Sequence, residues 1–334
     1  MYEGNRLRAL TRSFLIKAIS ECYAVPVRSL HRLKSDSGKL IYRVDLAANG
    51  ASWILRIVDQ SQKERLGTLA QLLLFFEQRQ YPAERIIPTA EHAALATVGE
   101  WHLLMTTCLS GTAIDVSPPT LFQLGASVGQ LHALTPLLTF SPPPSPMLPT
   151  GEIAFAQHRL ATVVSLVPRQ FLGQYAWLEQ ALAGLDPCTA LPAMLIHNDC
   201  HPANALVTAP GQVTLLDWEE AGSGPAILDV GCLLMNCDGK APWDTLPAPP
   251  YQLDEGHLQA VIEGYCQYAH VTLEDLDHLS DAMRFRSLVF GADCFATAIA
   301  KQEPAEFAQW WWARYEMAEE ITEQARALFT RLLP

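Results

Sequence analysis

The sequence predicts an α+β fold in two lobes: a small N-terminal lobe built on an antiparallel sheet and a larger, mostly helical C-terminal lobe. Its length and its hydrophobic pattern predict this. A chain of 334 residues has room for about two domains of roughly 150 residues. The alternating pattern of strands dominates the first hundred residues, and helical periodicity dominates from about residue 120. We place the lobes at residues 1–108 and 109–334.

In the small lobe, two alternating runs at 40–46 and 52–58 predict a β-hairpin. Asn49 and Gly50 lie between them, and both residues tolerate the positive φ angles of a tight turn. The same periodicities predict helices at 8–22 and 66–76 and a further strand at 101–106. The second helix is expected to stop before Pro82, because proline cannot continue a helix.

In the large lobe, the hydrophobic spacing predicts helices at 121–131, 152–185, 252–269, 275–300 and 304–330. The segment 140–149 contains five prolines and is predicted to be a loop, either a surface connection or a flap. Three consecutive tryptophans, 310–312, cannot all point inward from one helix. They are expected to pack between helices or at a groove.

The composition excludes several classes of protein. A formal net charge of −12 disfavours nucleic acid as the main partner, because that binding depends on Lys and Arg. The eight cysteines form no C-x-x-C pair, which favours a reduced chain over a disulfide framework. No apolar stretch approaches the roughly 18 residues of a membrane span, and the N-terminus lacks a signal-peptide pattern. The sequence therefore predicts a cytoplasmic protein without a membrane or nucleic-acid partner; it leaves the oligomeric state open.

Residues 193–219 carry a concentrated set of polar side chains. The apolar run 193–196 predicts a buried strand that ends just before Asp199. Asn204 opens a hairpin whose second arm returns to Asp217, so the two residues are expected side by side. Paired strands lie about 4.8 Å apart, and Mg²⁺ takes oxygen ligands at about 2.0–2.1 Å, so both side chains could reach one ion.

This pattern predicts a phosphotransferase site. An amide and a carboxylate suit a magnesium ion that must also accept phosphate oxygens, and Asp199 would accept the proton of an attacking hydroxyl. We therefore predict Asp199 as base, Asn204 and Asp217 as metal ligands, and Glu219 as an aid to a second ion. Taken singly, each of these residues is also compatible with a loop cap or a turn.

The motif resembles a known family. Residues 197–204 read His-Asn-Asp-Cys-His-Pro-Ala-Asn, similar to the His-Gly-Asp-x-His-x-x-Asn loop of aminoglycoside phosphotransferases and choline kinases. Residues 216–219, Leu-Asp-Trp-Glu, resemble the family's metal-binding strand end, and Asp229 lies in a segment whose aspartate braces the catalytic loop. The resemblance implies a protein-kinase-like fold that uses ATP or GTP with Mg²⁺. The implied acceptor is a hydroxyl of a small molecule: an aminoglycoside-like antibiotic, an amino alcohol or a sugar metabolite.

The resemblance extends to the small lobe. Arg56 stands where the family places a basic residue that reaches the nucleotide phosphates. Ser37 and Gly38 fall in the place of the phosphate-covering loop, and Met105 lies within the implied adenine-binding hinge at 103–108. The family's helix glutamate, which pairs with the basic residue, is missing, since Leu69 occupies its place. Glu64 is the nearest acidic residue upstream, and it is predicted to replace the missing glutamate.

Two other functions remain as alternatives. His197 and His201 have the spacing of a helical zinc pair that Asp199 could complete, as in a metallohydrolase. Pro202 argues against helix at His201, and His197 is better interpreted as an organiser of the loop. A pseudo-kinase binding module is the other alternative: the intact polar triad argues against it, and the missing helix glutamate argues for it.

The acceptor cannot be identified from the sequence. Six acidic residues of the large lobe could line a pocket for a cationic amine or could form a solvated surface: Asp254, Glu255, Asp275, Asp277, Asp281 and Asp293.

Overall fold

The structure is a computed structural model that describes residues 10–33, 40–47, 50–238, 252–303 and 307–332, without the side chains of 307–310. The chain divides into two compact units, Met1–Ser110 and Gly111–Pro334. The first carries an antiparallel sheet and the second is mostly helical, which confirms the predicted α+β class. Among the described helices, none combines the length and the apolarity needed to cross a membrane.

The first unit is a five-stranded antiparallel sheet with two helices. Its elements are α1 (Arg12–Tyr23), β1 (Val27–Arg32), β2 (Leu40–Leu46), β3 (Ser52–Asp59), α2 (Lys63–Gln78), β4 (Leu95–Val98) and β5 (Trp101–Thr107). The strand order is β1-β2-β3-β5-β4. The predicted β2–β3 hairpin is present, and Gly50 has a φ of 69° in its turn. Asn49 lies outside the described residues.

The sheet buries a hydrophobic cluster that includes α1. Leu15 and Ile19 of α1 pack in this cluster with Leu55 of β3 and Met105 of β5, all at most 1% exposed. Because side chains alternate along a strand, Arg56 lies on the opposite face of β3. The sheet therefore separates the apolar cluster from the face that carries Arg56.

The second unit is built around long helices. Its elements are β6 (Thr112–Ala113), α3 (Pro118–Ala133), α4 (Pro149–Val163), α5 (Leu172–Gly184), β7 (Ala193–Ile196), β8 (Ala205–Ala209), β9 (Gln212–Leu215), β10 (Gly222–Pro225), α6 (Ile227–Met235), α7 (Glu255–Cys266), α8 (Leu273–Asp277), α9 (Leu279–Lys301) and α10 (Phe307–Leu332). The predicted helix 152–185 is two helices, α4 and α5, since Pro168 lies in the break between them.

Helices α3 and α7 cross in backbone contact. A Cβ atom on Gly125 would lie 2.1 Å from the Val261 carbonyl oxygen, and one on Gly264 would lie 2.0 Å from that of Phe122. No side chain fits at such distances, so the crossing requires glycine on both helices. The crossing fixes the position of α3 along α7. His132, in the last turn of α3, therefore has a fixed position from which it reaches the site described below.

Two of the three tryptophans stack on aromatic rings of neighbouring helices. The ring of Trp311 lies 4.8 Å from that of Phe290 on α9, and Trp312 lies 4.6 Å from Trp177 on α5, both nearly parallel. For Trp311 and Trp312 this confirms the expected packing between helices, whereas the side chain of Trp310 lies outside the described residues.

Candidate active site

The β8–β9 hairpin carries two of the predicted metal ligands at its open end. A bulge at Thr208 adds one residue to β8, so Asn204 faces Leu216 rather than Asp217. The Leu216 N–H donates to the Asn204 carbonyl oxygen at 2.8 Å. Asp217 follows directly and has a φ of 59°, in the left-handed region. The two side chains therefore start from the same end of the hairpin, offset by one residue from the predicted pairing.

His197 joins the 197–204 loop to this hairpin. Its Nε2 lies 2.8 Å from the Leu216 carbonyl oxygen, and its Nδ1 lies 3.2 Å from the backbone nitrogen of Asp199. These contacts select the tautomer in which Nε2 donates and Nδ1 accepts. Both ring nitrogens are thus used, and His201 has an extended backbone (φ −98°, ψ 165°) instead of the helix that a zinc pair would need. The interpretation of His197 as a loop organiser is confirmed.

Asp199 and Asn204 are in direct contact. The Asn204 side-chain nitrogen donates to Asp199 Oδ2 at 2.6 Å and to the Asp199 carbonyl oxygen at 3.0 Å. His201 Nε2 lies 3.5 Å from Asp199 Oδ1. Burial lowers the pKa of His201 despite the opposing charge of Asp199, which favours a neutral imidazole. The Asp199 side chain remains 29% exposed and is open to a substrate.

One oxygen of Asp217 has an unused bonding capacity. Its Oδ1 is buried and has no hydrogen-bond partner among the described residues. A buried carboxylate oxygen without a partner is costly unless a ligand satisfies it. Carboxylate and amide oxygens are ligands that Mg²⁺ accepts, so Asp217 and Asn204 fit a magnesium ion. Glu219, half-buried, follows in the short 3₁₀ turn Trp218–Glu220.

Asp229, at the start of α6, holds the backbone of the 197–204 loop. Its two carboxylate oxygens accept the N–H groups of His197 at 2.8 Å and Asn198 at 2.7 Å. His132 Nε2 lies 3.1 Å from Oδ2, and the other ring nitrogen of His132 contacts the Tyr265 hydroxyl at 2.8 Å. Burial alone would raise the pKa of Asp229, but the bonds from His132 and His197 outweigh it and lower the pKa.

Asp229→Asn is expected to destabilise the protein by about 3 kcal/mol at pH 7, because an amide cannot accept all three hydrogen bonds. Because the pKa of Asp229 is lower in the folded protein than in the unfolded chain, its carboxylate stabilises the fold fully at pH values above the unfolded pKa of about 3.9. This stabilisation is lost progressively as the pH falls below that value towards the folded pKa. The gap between wild type and variant should therefore narrow below about pH 4. Urea unfolding from pH 3 to pH 7 measures this, and a gap that is independent of pH would contradict it.

Asn198 connects the loop to the proline-rich segment and to α9. Its φ is 59°, and it occupies the glycine position of the family motif. The side-chain nitrogen donates to Ser145 Oγ at 2.6 Å and to the Met147 carbonyl oxygen at 2.9 Å. Arg286 of α9 donates to its carbonyl oxygen and, at 2.8 Å, to its Oδ1. Segment 140–149 is therefore a fixed connection at Ser145, which is 4% exposed.

The acidic partner of Arg56 is Glu84, and this corrects the expectation for Glu64. Arg56 Nη2 lies 2.9 Å from Glu84 Oε1, and Arg56 is 7% and Glu84 4% exposed. Thr106 of β5 bonds to both side chains, at 3.2 and 2.9 Å. Glu64 is exposed in the first turn of α2. Glu84 lies in the segment that follows α2. Ile86 of that segment forms an isolated antiparallel β-bridge with Thr106, and this bridge brings Glu84 close to β5.

Glu84→Ala is expected to lower the free energy of unfolding by about 3–5 kcal/mol, because it leaves the Arg56 guanidinium buried without its carboxylate. Glu64→Ala is the matched control and should change stability by less than about 0.5 kcal/mol, since that side chain is exposed. Urea unfolding of both variants measures the difference. Equal effects would show that Glu84 does not hold Arg56.

Two other predictions for the nucleotide site have different outcomes. Ser37 and Gly38 lie outside the described residues. The side chain of Met105 is fully buried in the cluster with α1, on the face of β5 opposite to Thr106. Because side chains alternate along β5, the Met105 side chain is directed to the core, and the placement of position 105 in an adenine-binding hinge stays a prediction.

Three residues that contact the candidate site were not predicted from the sequence. Glu84, Ser145 and Arg286 reach their partners across 28, 53 and 88 residues respectively. Such contacts depend on the packing of distant elements, and no local pattern encodes them. The one usable signal was the run of prolines around Ser145, which marks a rigid segment.

With this geometry established, comparison with known proteins identifies the family. A family model described as the phosphotransferase enzyme family matches residues 29–252. The chain belongs to that family. The match spans both the Arg56 strand and the 197–219 segment, and it confirms the predicted relationship to aminoglycoside phosphotransferases. The chain is accordingly a small-molecule phosphotransferase. A search of curated protein sequences finds no match.

Solved structures of phosphotransferases share the fold. Amicoumacin kinase hAmiN, solved with AMP-PNP, Ca²⁺ and Ami, has a TM-score of 0.70 at 17% identity, covering 96% of each chain. A microcompartment-associated aminopropanol kinase gives 0.59 at 17% identity, covering 95% of this chain and 99% of that one. Choline kinase LicA from Streptococcus pneumoniae gives 0.55 at 12%, covering 93% and 98%. At these identities the likeness establishes the protein-kinase-like fold.

Proposed function

We propose that this phosphotransferase moves the γ-phosphoryl group of ATP or GTP to a hydroxyl of a small molecule. The observation that carries the proposal is the group formed by Asp199, Asn204 and Asp217. Asp199 and Asn204 touch at 2.6 Å, and Asp217 follows Leu216, which is bonded to the same loop through both His197 and Asn204. The proposed base and the two proposed oxygen ligands thus lie on connected backbone.

In the proposed reaction, Asp199 accepts the proton of the acceptor hydroxyl as its oxygen bonds to the γ-phosphorus. The bond between that phosphorus and the β–γ bridging oxygen breaks, and the nucleoside diphosphate leaves with the electron pair. The Asn204 amide orients Asp199 through its 2.6 Å hydrogen bond. Asn204 and Asp217 would hold Mg²⁺, with Glu219 as a further carboxylate, and the ion supplies positive charge for the phosphates when bound. Arg56 is proposed to contact those phosphates as well.

The acceptor is proposed to bind at the cavity beside Asp199. Arg286, Phe290 and Trp311 line it. The Nε of Arg286 is buried without a hydrogen-bond partner among the described residues, whereas its Nη2 donates to Asn198. Such a wall suits an acceptor with a carbonyl or carboxylate oxygen and an apolar part.

The six acidic residues named in the sequence analysis do not support a cationic acceptor at this cavity. Asp254 and Asp275 cap helices, Asp277 pairs with Arg326, and Asp293 pairs with Arg159. None of these residues lines the cavity that contains Asp199. They are better explained as structural groups at the surface.

The test is transfer of labelled γ-phosphate from Mg·ATP and Mg·GTP to three panels of hydroxyl compounds matched in size. The panels carry a carboxylate, an amide or an ammonium group as the second substituent. Transfer to any panel supports the phosphotransferase proposal, and faster transfer to the carboxylate and amide panels supports the acceptor class. Nucleotide binding without transfer would favour the pseudo-kinase, and tight zinc binding at the 197–204 loop without any nucleotide effect would favour the hydrolase.

A further inference from the structure

Three side chains with metal-binding atoms converge outside the 197–204 loop. Asp186 and Cys188 lie in the connection from α5 to β7, and His278 lies between α8 and α9. One donor atom from each residue lies within 4.8 Å of the other two. His278 Nδ1 and Asp186 Oδ2 are 3.0 Å apart. Two separate chain segments therefore bring a nitrogen, an oxygen and a sulfur to one place.

The connection from α5 to β7 folds so that the two donors at its turn stay together. Cys188 has a φ of 56°, in the left-handed region, and its N–H donates to Asp186 Oδ1 at 2.8 Å. That bond occupies one carboxylate oxygen and leaves Oδ2 facing His278. The Cys188 thiol is fully buried, whereas the Asp186 side chain is 45% exposed. An ion could thus enter from the Asp186 side and reach the sulfur.

We propose that Asp186, Cys188 and His278 bind one Zn²⁺ ion, with water as the fourth ligand. Zinc accepts sulfur, nitrogen and oxygen donors at about 2.0–2.3 Å, which places tetrahedral donors roughly 3–4 Å apart. Here the His278 and Asp186 donors are 3.0 Å apart, and all three donor atoms lie within 4.8 Å of one another. Magnesium and calcium favour sites made of oxygen alone, so this donor set selects against the ion of the phosphotransferase site.

Binding exchanges the thiol proton for the metal. The S–H bond of Cys188 breaks, a sulfur–zinc bond forms, and the proton passes to solvent.

The test uses the full chain, stripped with chelator and titrated with Co²⁺ and Zn²⁺ in excess Mg²⁺. We expect one Co²⁺ per chain with a thiolate charge-transfer band, displaced by Zn²⁺, and a higher melting temperature with Zn²⁺. Cys188→Ser should remove the band and weaken binding at least about 100-fold. Cys266→Ser, at a partly buried cysteine outside this cluster, is the matched control and should retain both.

His278→Gln should weaken zinc binding while leaving Cys188 intact, which separates ligation from misfolding caused by the cysteine change. Circular dichroism of each variant without metal checks the fold. Absence of the charge-transfer band in wild type, or the same band in Cys188→Ser, would overturn the proposal. In that case the cluster is an ion pair that fastens the α5–β7 connection to α9.

Discussion

Asp199→Asn is expected to transfer phosphate roughly 10²–10⁴-fold more slowly than wild type, while nucleotide affinity stays near normal. An amide cannot accept the hydroxyl proton, yet it matches the carboxylate in size and still accepts the Asn204 hydrogen bond through its oxygen. The fold around the 197–204 loop should persist, because Asp229 holds the backbone at His197 and Asn198.

Steady-state rates with the best acceptor, together with nucleotide titration in the absence of acceptor, measure the two quantities separately. Asp277→Asn makes the same chemical change at an exposed surface pair and should leave both unchanged. An Asp199→Asn enzyme that works at the wild-type rate would exclude Asp199 as base. Loss of nucleotide affinity together with rate would point to damage of the whole site.

Asp217→Asn and Asp217→Ala are expected to weaken nucleotide binding in Mg²⁺ by at least about 100-fold, with little change in its absence. The reason is the buried Oδ1, which is proposed as a metal ligand. The two variants differ in backbone cost. Alanine is disfavoured at a φ of 59° by about 1–2 kcal/mol, whereas asparagine tolerates it, so Asp217→Ala should also lose stability.

Calorimetric titration with a non-hydrolysable ATP analogue, with and without Mg²⁺, measures the metal-dependent part of the affinity. Thermal unfolding of the two variants measures the loss of stability caused by alanine at the left-handed backbone position 217. If Asp217→Asn kept full magnesium dependence, Asp217 would not be a ligand of the ion. If both variants lost stability equally, the left-handed backbone at 217 would not be the cause of the difference.

Much of the fold could be predicted from local patterns. The 40–46 and 52–58 runs became a hairpin within one residue of the predicted ends, because alternation and a Gly50 turn are local signals. Strands β1 and β4 were not predicted. β1 has a single buried side chain and β4 has four residues, so neither shows an alternation that its sequence alone could reveal.

In the site, too, features with a local sequence signal could be predicted and those that depend on distant packing could not. The spacing from Asp199 to Asn204 and Asp217 could be predicted, because one loop and one hairpin carry all three. The Thr208 bulge could not, and it offset the pairing by one residue. The role of Glu84 could not be predicted, because its pairing with Arg56 depends on how the segment after α2 crosses β5. Glu64, nearer in sequence, was the wrong partner.

The contact between α3 and α7 has a consequence for how this enzyme can vary. In a library of random variants selected for activity, positions 125, 129 and 264 should remain glycine, because a methyl group at each would meet a carbonyl oxygen of the facing helix. Gly67 and Gly173, with open space around them, should accept many residues. A tolerance map obtained by sequencing alone would therefore reveal where these two helices touch.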